Sequence, residues 1–331
     1  MVGSRRGSSA GGRSRTLVAR FDQSGEQDLG FGRKGVLTLR RSDEQSGGRR
    51  GLAAFGTAEG LCIRLGTLLR CFDSTGRRDR SYGAGRGFVV LPGSARSLLV
   101  DSVGRPIFRQ GHRLVRLTSD GQVDDAFDDH GGVALPLQPE GSLGLALGPD
   151  DSVVVASAPS GRFARFTSAG ILDPSFGEMG IAQIPFGDSG LASLDVASDG
   201  STFAMLRRSG STEAFEILTK LGPDGSLDPT FGSEGGVPLA GSWADDLATD
   251  SRGLSYLRTE RGDGLGLVRL DATGKLDSAF GRDGTLRVHF GSRRSYSTAL
   301  AVLPSDDVVV AGALETKAGG TVLALSVLPT G

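Results

Sequence analysis

The chain has 331 residues, with 37 Lys and Arg against 38 Asp and Glu; a net charge of -1 supplies no bulk field toward nucleic acid or a membrane surface. Glycine contributes 53 residues, more than twice its usual share of ~7%, and without a collagen period this points to many tight turns between short strands. No apolar run reaches the ~18 residues of a transmembrane helix, and the N-terminus lacks the apolar stretch of a signal peptide.

Residues 1–15 (MVGSRRGSSAGGRSR) read as a disordered Gly/Ser/Arg-rich arm. Residues 16–331 read as a single repeat domain. Six copies follow one pattern: a hydrophobic strand, then x-x-x-G-x-x-D-x-x-[FY], then a second strand. They begin at Val18 (VARFDQSGEQDLGFGRKGVLTL), Leu68 (LLRCFDSTGRRDRSYGAGRGFVVL), Leu114 (LVRLTSDGQVDDAFDDHGGVAL), Phe163 (FARFTSAGILDPSFGEMGIAQI), Leu218 (LTKLGPDGSLDPTFGSEGGVPL) and Leu267 (LVRLDATGKLDSAFGRDGTLRV). The turn glycines are Gly25, Gly76, Gly121, Gly170, Gly225 and Gly274. An Asp follows each by three places (Asp28, Asp79, Asp124, Asp173, Asp228, Asp277). An aromatic follows after three more (Phe31, Tyr82, Phe127, Phe176, Phe231, Phe280).

Between these blocks a second unit recurs: strand, Asp/Gly/Ser turn, strand, as in LGLALGPDDSVVVAS and ALAVLPSDDVVVAGAL. One period thus holds four strands, here a, b, c and d, which is the pattern of a β-propeller blade. Strand a is found six times, b six, c seven and d six. The predicted fold is therefore all-β, a six-bladed β-propeller of four-stranded antiparallel blades; seven blades would leave three strands missing and an open edge. The economical closure sets Gly35–Leu39 as strand d beside the C-terminal a, b and c strands, so that both chain ends share one blade. Thr16–Phe21 and Thr321–Leu328 then compete as its c strand.

The phrases LDPSFGEMG, LDPTFGSEG and LDSAFGRDG, each after a [RK]-[LF]-x-x-x-G strand, resemble the delta-60 repeat of bacterial β-propeller proteins. Copies two and three depart from it at Arg78, Tyr82, Val123 and Asp128. The resemblance implies a secreted or cell-surface component, extracellular or in the cell envelope, and brings no catalytic motif.

Sixfold repetition makes the loop Asp and aromatic structural: the Asp caps its own turn and the ring plugs the seam between blades. A basic residue five places before the turn glycine (Arg20, Arg116, Arg165, Lys220, Arg269) is the expected partner of that Asp. In the second copy Cys71 stands at this position. Counting out from a Gly66-Thr67 hairpin sets Cys62 opposite Cys71 at a non-hydrogen-bonded pair, close enough for a disulfide. Two reduced buried thiols are the alternative that an intracellular location would favour.

Catalytic signals are thin. His112, His130 and His289 fall in unrelated places of the repeat, and no nucleophile or zinc motif accompanies them. The acidic stretch Asp120–His130 lacks calcium-loop spacing. No metal or cofactor is expected. A hydrolase-type site at a central channel is the rival reading, and only Asp195, Asp245 and Asp246 put acids on inner strands.

Sorting charge by loop is more informative. The a–b turns carry Glu59, Asp101, Asp150, Asp151, Asp199, Asp250, Asp306 and Asp307. The b–c and d–a side collects arginines, among them Arg109, Arg113, Arg162, Arg258 and Arg261. The candidate ligand-binding residues are Arg40, Arg41, Arg49, Arg50, Arg207, Arg208, Arg293 and Arg294. The sequence thus reads as a non-enzymatic, monomeric binding module that offers these loops to a protein or polyanionic ligand, without specific nucleic-acid recognition. A purely structural cell-surface component is the further alternative.

Overall fold

Short runs of β-branched and aliphatic residues, separated by Gly- and Asp-rich turns, fold back on themselves strand by strand. A computed structural model describes residues 2–5, 15–22, 26–39, 52–57, 60–92, 95–137, 143–158, 160–185, 189–208, 215–239, 243–261, 264–288, 295–315 and 321–328. Every regular element among them is a strand. The fold is a six-bladed β-propeller, whose described strands form five four-stranded and two three-stranded antiparallel sheets. The chain divides into two compact units, Met1–Ala134 with Glu315–Leu323 and Leu135–Leu314 with Ala324–Gly331.

In the first unit, Leu52–Thr57, Gly60–Leu65, Leu68–Asp73 and Val89–Val90 pair in order as one blade. Ala95–Val100, Pro106–Gln110, Arg113–Arg116 and Gly132–Ala134 form the next. The second unit holds three complete blades. The third runs through Leu143–Leu147, Val153–Ser157, Arg162–Phe166 and Ile181–Gln183. The fourth is Ser189–Val196, Thr202–Arg208, Phe215–Leu221 and Gly236–Leu239. The fifth is Trp243–Thr249, Ser255–Arg261, Gly264–Leu270 and Thr285–Val288. Ser295–Val302, Val308–Glu315 and Thr321–Leu328 follow as strands a, b and c of the sixth.

The expected pairing of Gly35–Leu39 beside the C-terminal a, b and c strands is not observed: Ser295–Val302, Val308–Glu315 and Thr321–Leu328 form a three-stranded sheet without it. Val36–Leu39 hydrogen-bonds to Arg15–Ala19, with Thr16 opposite Leu39, so this d strand takes the N-terminal c strand as its neighbour. The two strands are joined by the single loop of residues 20–35, and closing a local loop costs less entropy than bringing distant chain ends together. Val2–Arg5, inside the stretch read as a disordered arm, pairs with the other edge of Arg15–Ala19. Residues 6–14 lie outside the described residues.

The apolar core sits between neighbouring sheets. Val153, Val154 and Val155 are all fully buried, as a strand covered on both faces requires. Val154, Phe163 and Phe176 of the third blade pack with Ala204 and Leu206 of the fourth. Phe203, Met205 and Phe231 of the fourth pack with Leu247 and Leu257 of the fifth. The inner strands of the second, fourth, fifth and sixth blades each carry a bulge against strand b, at Arg96/Leu98, Leu191/Ser193, Ala244/Asp246 and Ser297/Ala299. A bulge re-aims neighbouring side chains.

Candidate functional site

The repeated loop is built the same way in each copy. The Asp backbone N–H donates to the carbonyl of the basic residue at the end of strand c: Asp173 to Arg165 at 2.9 Å and Asp228 to Lys220 at 2.9 Å. One carboxylate oxygen then accepts the amide two residues on, from Ser175 at 3.0 Å and Thr230 at 3.0 Å. In five of the six copies the other oxygen takes the cation. The ion pairs are Arg20 with Asp28, Arg116 with Asp124 at 2.7 Å, Arg165 with Asp173 at 2.7 Å, Lys220 with Asp228 at 3.0 Å and Arg269 with Asp277 at 2.8 Å. Four guanidinium groups also cover the loop aromatic, with Arg116 4.4 Å from the Phe127 ring centre and Arg165 4.7 Å from that of Phe176.

Asp28, Asp173 and Asp228 are held below the usual range. For Asp228 the Thr230 hydroxyl bond is the largest cause. For Asp173 burial pulls upward, but the bonds from Ser175 and Arg165 outweigh it. The chemistry left to them is that of a spent acceptor, because both oxygens are engaged.

The aromatic and the glycine work between copies. Phe176 is fully buried, and the Gly177 N–H donates to the Asp224 carbonyl in the next blade at 2.6 Å. Gly225 follows that carbonyl with φ of 79°, and a Cβ there would stand 2.8 Å from Gly177 N and 3.0 Å from the Phe176 ring. Phe231 and Gly274 repeat the arrangement, as do Phe31 with Gly76 and Tyr82 with Gly121. The periodic residues are thus a blade-to-blade fastener.

Cys62 and Cys71 lie directly opposite on strands b and c and are joined by a disulfide. The register runs Leu65 to Leu68, Arg64 to Leu69 and Ile63 to Arg70 before reaching them.

The inner-strand acids are used differently. The Asp195 carboxylate accepts the Thr249 N–H and hydroxyl, each at 2.8 Å, from the next inner strand. Asp246 accepts the Leu300 N–H at 2.9 Å, again one blade on. Burial raises both pKa values against the pull of these bonds. Asp245 pairs with the buried Arg258 at 2.8 Å. The three acids do not converge, and no cluster of three metal-ligating residues occurs among the described residues.

Of the arginines proposed to bind a ligand, Arg40, Arg41, Arg49, Arg50, Arg293 and Arg294 lie outside the described residues. Arg208 lies on a described strand, but its side chain is not described. Arg207 donates to Glu216 Oε1 from Nε at 3.1 Å and Nη2 at 2.9 Å. Glu216 is buried, and its other oxygen accepts the Ala244 N–H at 2.6 Å. Arg207 is therefore tied into the fourth blade's own structure. On the same side of the second blade, Arg113 is exposed and donates to the Gly132 carbonyl at 2.6 Å.

On the opposite edges several turn acids cap their own turns, whereas Asp306 accepts the Ser251 amide of the preceding blade. Asp101 accepts the Arg105 backbone N–H at 2.7 Å and its Nε at 2.6 Å; Asp250 accepts the Arg252 and Leu254 amides at 3.0 and 2.9 Å. A cleft of about 540 Å³ between the third and fourth blades is lined by Asp150, Arg165, Asp173, Asp199 and Asp224, among others. Each of these acids accepts the amide two residues on in its own loop. His112 and His130 are exposed, and His289 lies outside the described residues.

No protein-family model and no curated protein matches the chain. Solved structures do. A structure described as streptogramin B lyase is 14% identical, with TM-score 0.53, 85% of this chain and 84% of that one covered. A complex of KlAtg21 with the coiled coil of AgAtg16 gives 9% identity, TM-score 0.52, and coverage of 85% and 82%. At such identities the likeness is one of fold. No helix among the described residues is long and apolar enough to cross a membrane.

Proposed function

We propose that this propeller is a non-enzymatic interaction module, whose b–c and d–a loops engage an anionic partner such as an acidic protein, a polyanionic glycan or a phosphate polymer. The division of charge carries this reading. On the a–b and c–d edges many acids cap turns, and some pair with a cation of their own loop, as Asp101 does with Arg105 and Asp250 with Arg252 at 2.8 Å. On the other edges the sequence gathers Arg49, Arg50, Arg293 and Arg294 in long loops, and the planar guanidinium suits carboxylate, sulfate and phosphate. Loops on a rigid scaffold are the usual seat of recognition. The Atg21 structure, solved with a coiled coil bound, is one instance of the fold serving protein association. We also read the repeat as of the delta-60 kind, on the strength of LDPSFGEMG and LDPTFGSEG.

The engagement of Asp195 and Asp246 by backbone amides weighs against a metal-dependent hydrolase at the inner strands. The expected result for binding is retention on heparin at low salt. Moderate salt should release the protein, and so should Ser in place of Arg49, Arg50, Arg293 and Arg294. Flow-through at low salt, or retention unchanged in the fourfold variant, refutes the proposal.

A further inference from the structure

The second copy of the repeat, with its c strand Leu68–Asp73, breaks the pattern at one point. In the other complete blades the residue facing the basic position across strands b and c is aliphatic or aromatic: Ile107 faces Arg116, Val154 faces Arg165, Phe203 faces Lys220 and Tyr256 faces Arg269. Here the same two positions are Cys62 and Cys71. Both halves of the pair have changed together. The loop around Asp79 is otherwise intact: its N–H donates to the Cys71 carbonyl at 3.0 Å, and its Oδ1 accepts the Ser81 amide at 2.8 Å. What this copy lacks is a cation at position 71 to hold the Asp79 carboxylate.

We propose that the Cys62–Cys71 disulfide is a redox-controlled substitute for the ion-pair clamp of the other blades, so that reduction loosens the Asp73–Gly87 loop. The covalent bond fixes strand c at the residue whose carbonyl anchors the loop. Cys71 also packs in one cluster with Tyr82, the loop's aromatic, and with Leu117 of the next blade. Reduction by a dithiol breaks the S–S bond and leaves two thiols, while the dithiol closes to its own cyclic disulfide; two electrons and two protons pass from the reductant to the protein. An ion pair cannot be undone this way, so only this blade gains such sensitivity.

The loop carries its own reporter, since Arg77, Arg78, Arg80 and Arg86 are exposed trypsin sites. The untreated full-length protein should show no free thiol, and dithiothreitol should expose two. Closing so short a loop implies a fall in Tm of about 5 °C on reduction, and trypsin should then cut first at these arginines. The C62V/C71R variant, which restores the facing pair of the third blade, should resist trypsin with or without reductant. Two thiols in the untreated protein overturn the proposal. So do thiols that dithiothreitol cannot release from the folded protein, or an unchanged Tm and digestion pattern once they are released. A C62V/C71R protein that fails to fold, or is cut like the reduced wild type, overturns the equivalence of disulfide and clamp.

Discussion

The c–d loops and the inner strands of the second unit both rely on aspartate, and the two sets behave in opposite ways. Asp173 and Asp228 sit at the rim, partly solvated, next to a cation, with pKa values pushed down. Asp195 and Asp246 are half-buried between inner strands, where desolvation outweighs their hydrogen bonds and pushes their pKa values up. Yet each is an acceptor that ties one segment to another. The difference teaches that the surroundings, rather than the residue type, decide whether a carboxylate favours its charged form. It also separates periodic from irregular use: the rim acids recur in every copy, whereas the inner ones belong to two adjacent blades.

The comparison can be tested in order of expected effect. Phe176→Ala empties a fully buried site beside the rim loop, and should cost about 3–5 kcal/mol in urea unfolding, more than any single inner-strand acid. A smaller loss would mean that the ring is not what holds the seam.

Next comes Asp173→Ala. It removes two loop bonds and leaves Arg165 without its carboxylate partner, for an expected loss of about 1–2 kcal/mol. Asp79→Ala, in the copy without the cation, should lose distinctly less in the same assay. Equal losses would show that the ion pair adds nothing to the turn.

The smallest effect is one of pH. The folded-state pKa of Asp195 is raised, so its protonated form is favoured by folding. That contribution is fully present below the unfolded value near 4, and is lost as pH rises through the folded pKa. Asp228 has the opposite sign: its contribution is present above pH 4 and lost as pH falls through its lowered folded pKa. Wild type should therefore lose some stability on going up from pH 4, and Asp195→Asn should lose less over the same range. Parallel urea midpoints from pH 4 to 7 would contradict the buried assignment.

Much of this was legible beforehand. The strand types counted from sequence, six a, six b, seven c and six d, are all present, with Val2–Arg5 as an addition. The Cys62 to Cys71 register was readable because a two-residue hairpin leaves no freedom in the count. The Arg165 to Asp173 pairing was readable because the partners lie eight residues apart in one loop. By contrast, Arg207 looked like a free binding arginine. Its partner Glu216 lies beyond a long b–c loop whose length hides the register, and Glu216 in turn answers to Ala244 of the next blade.

The strand order, the turn chemistry and the facing cysteines follow from local sequence, because they depend on residues within one hairpin or one loop. What surrounds a group is not local. Gly225 is confined by Phe176 and Gly177 of the preceding blade, and Asp195 acquires its role only when Thr249 is brought alongside. Likewise, which c strand Val36–Leu39 would choose was a competition between near and distant partners, and loop-closure entropy favoured the near one. Burial and cross-blade hydrogen bonds come into being only when separate copies are packed together, so they belong to the tertiary structure.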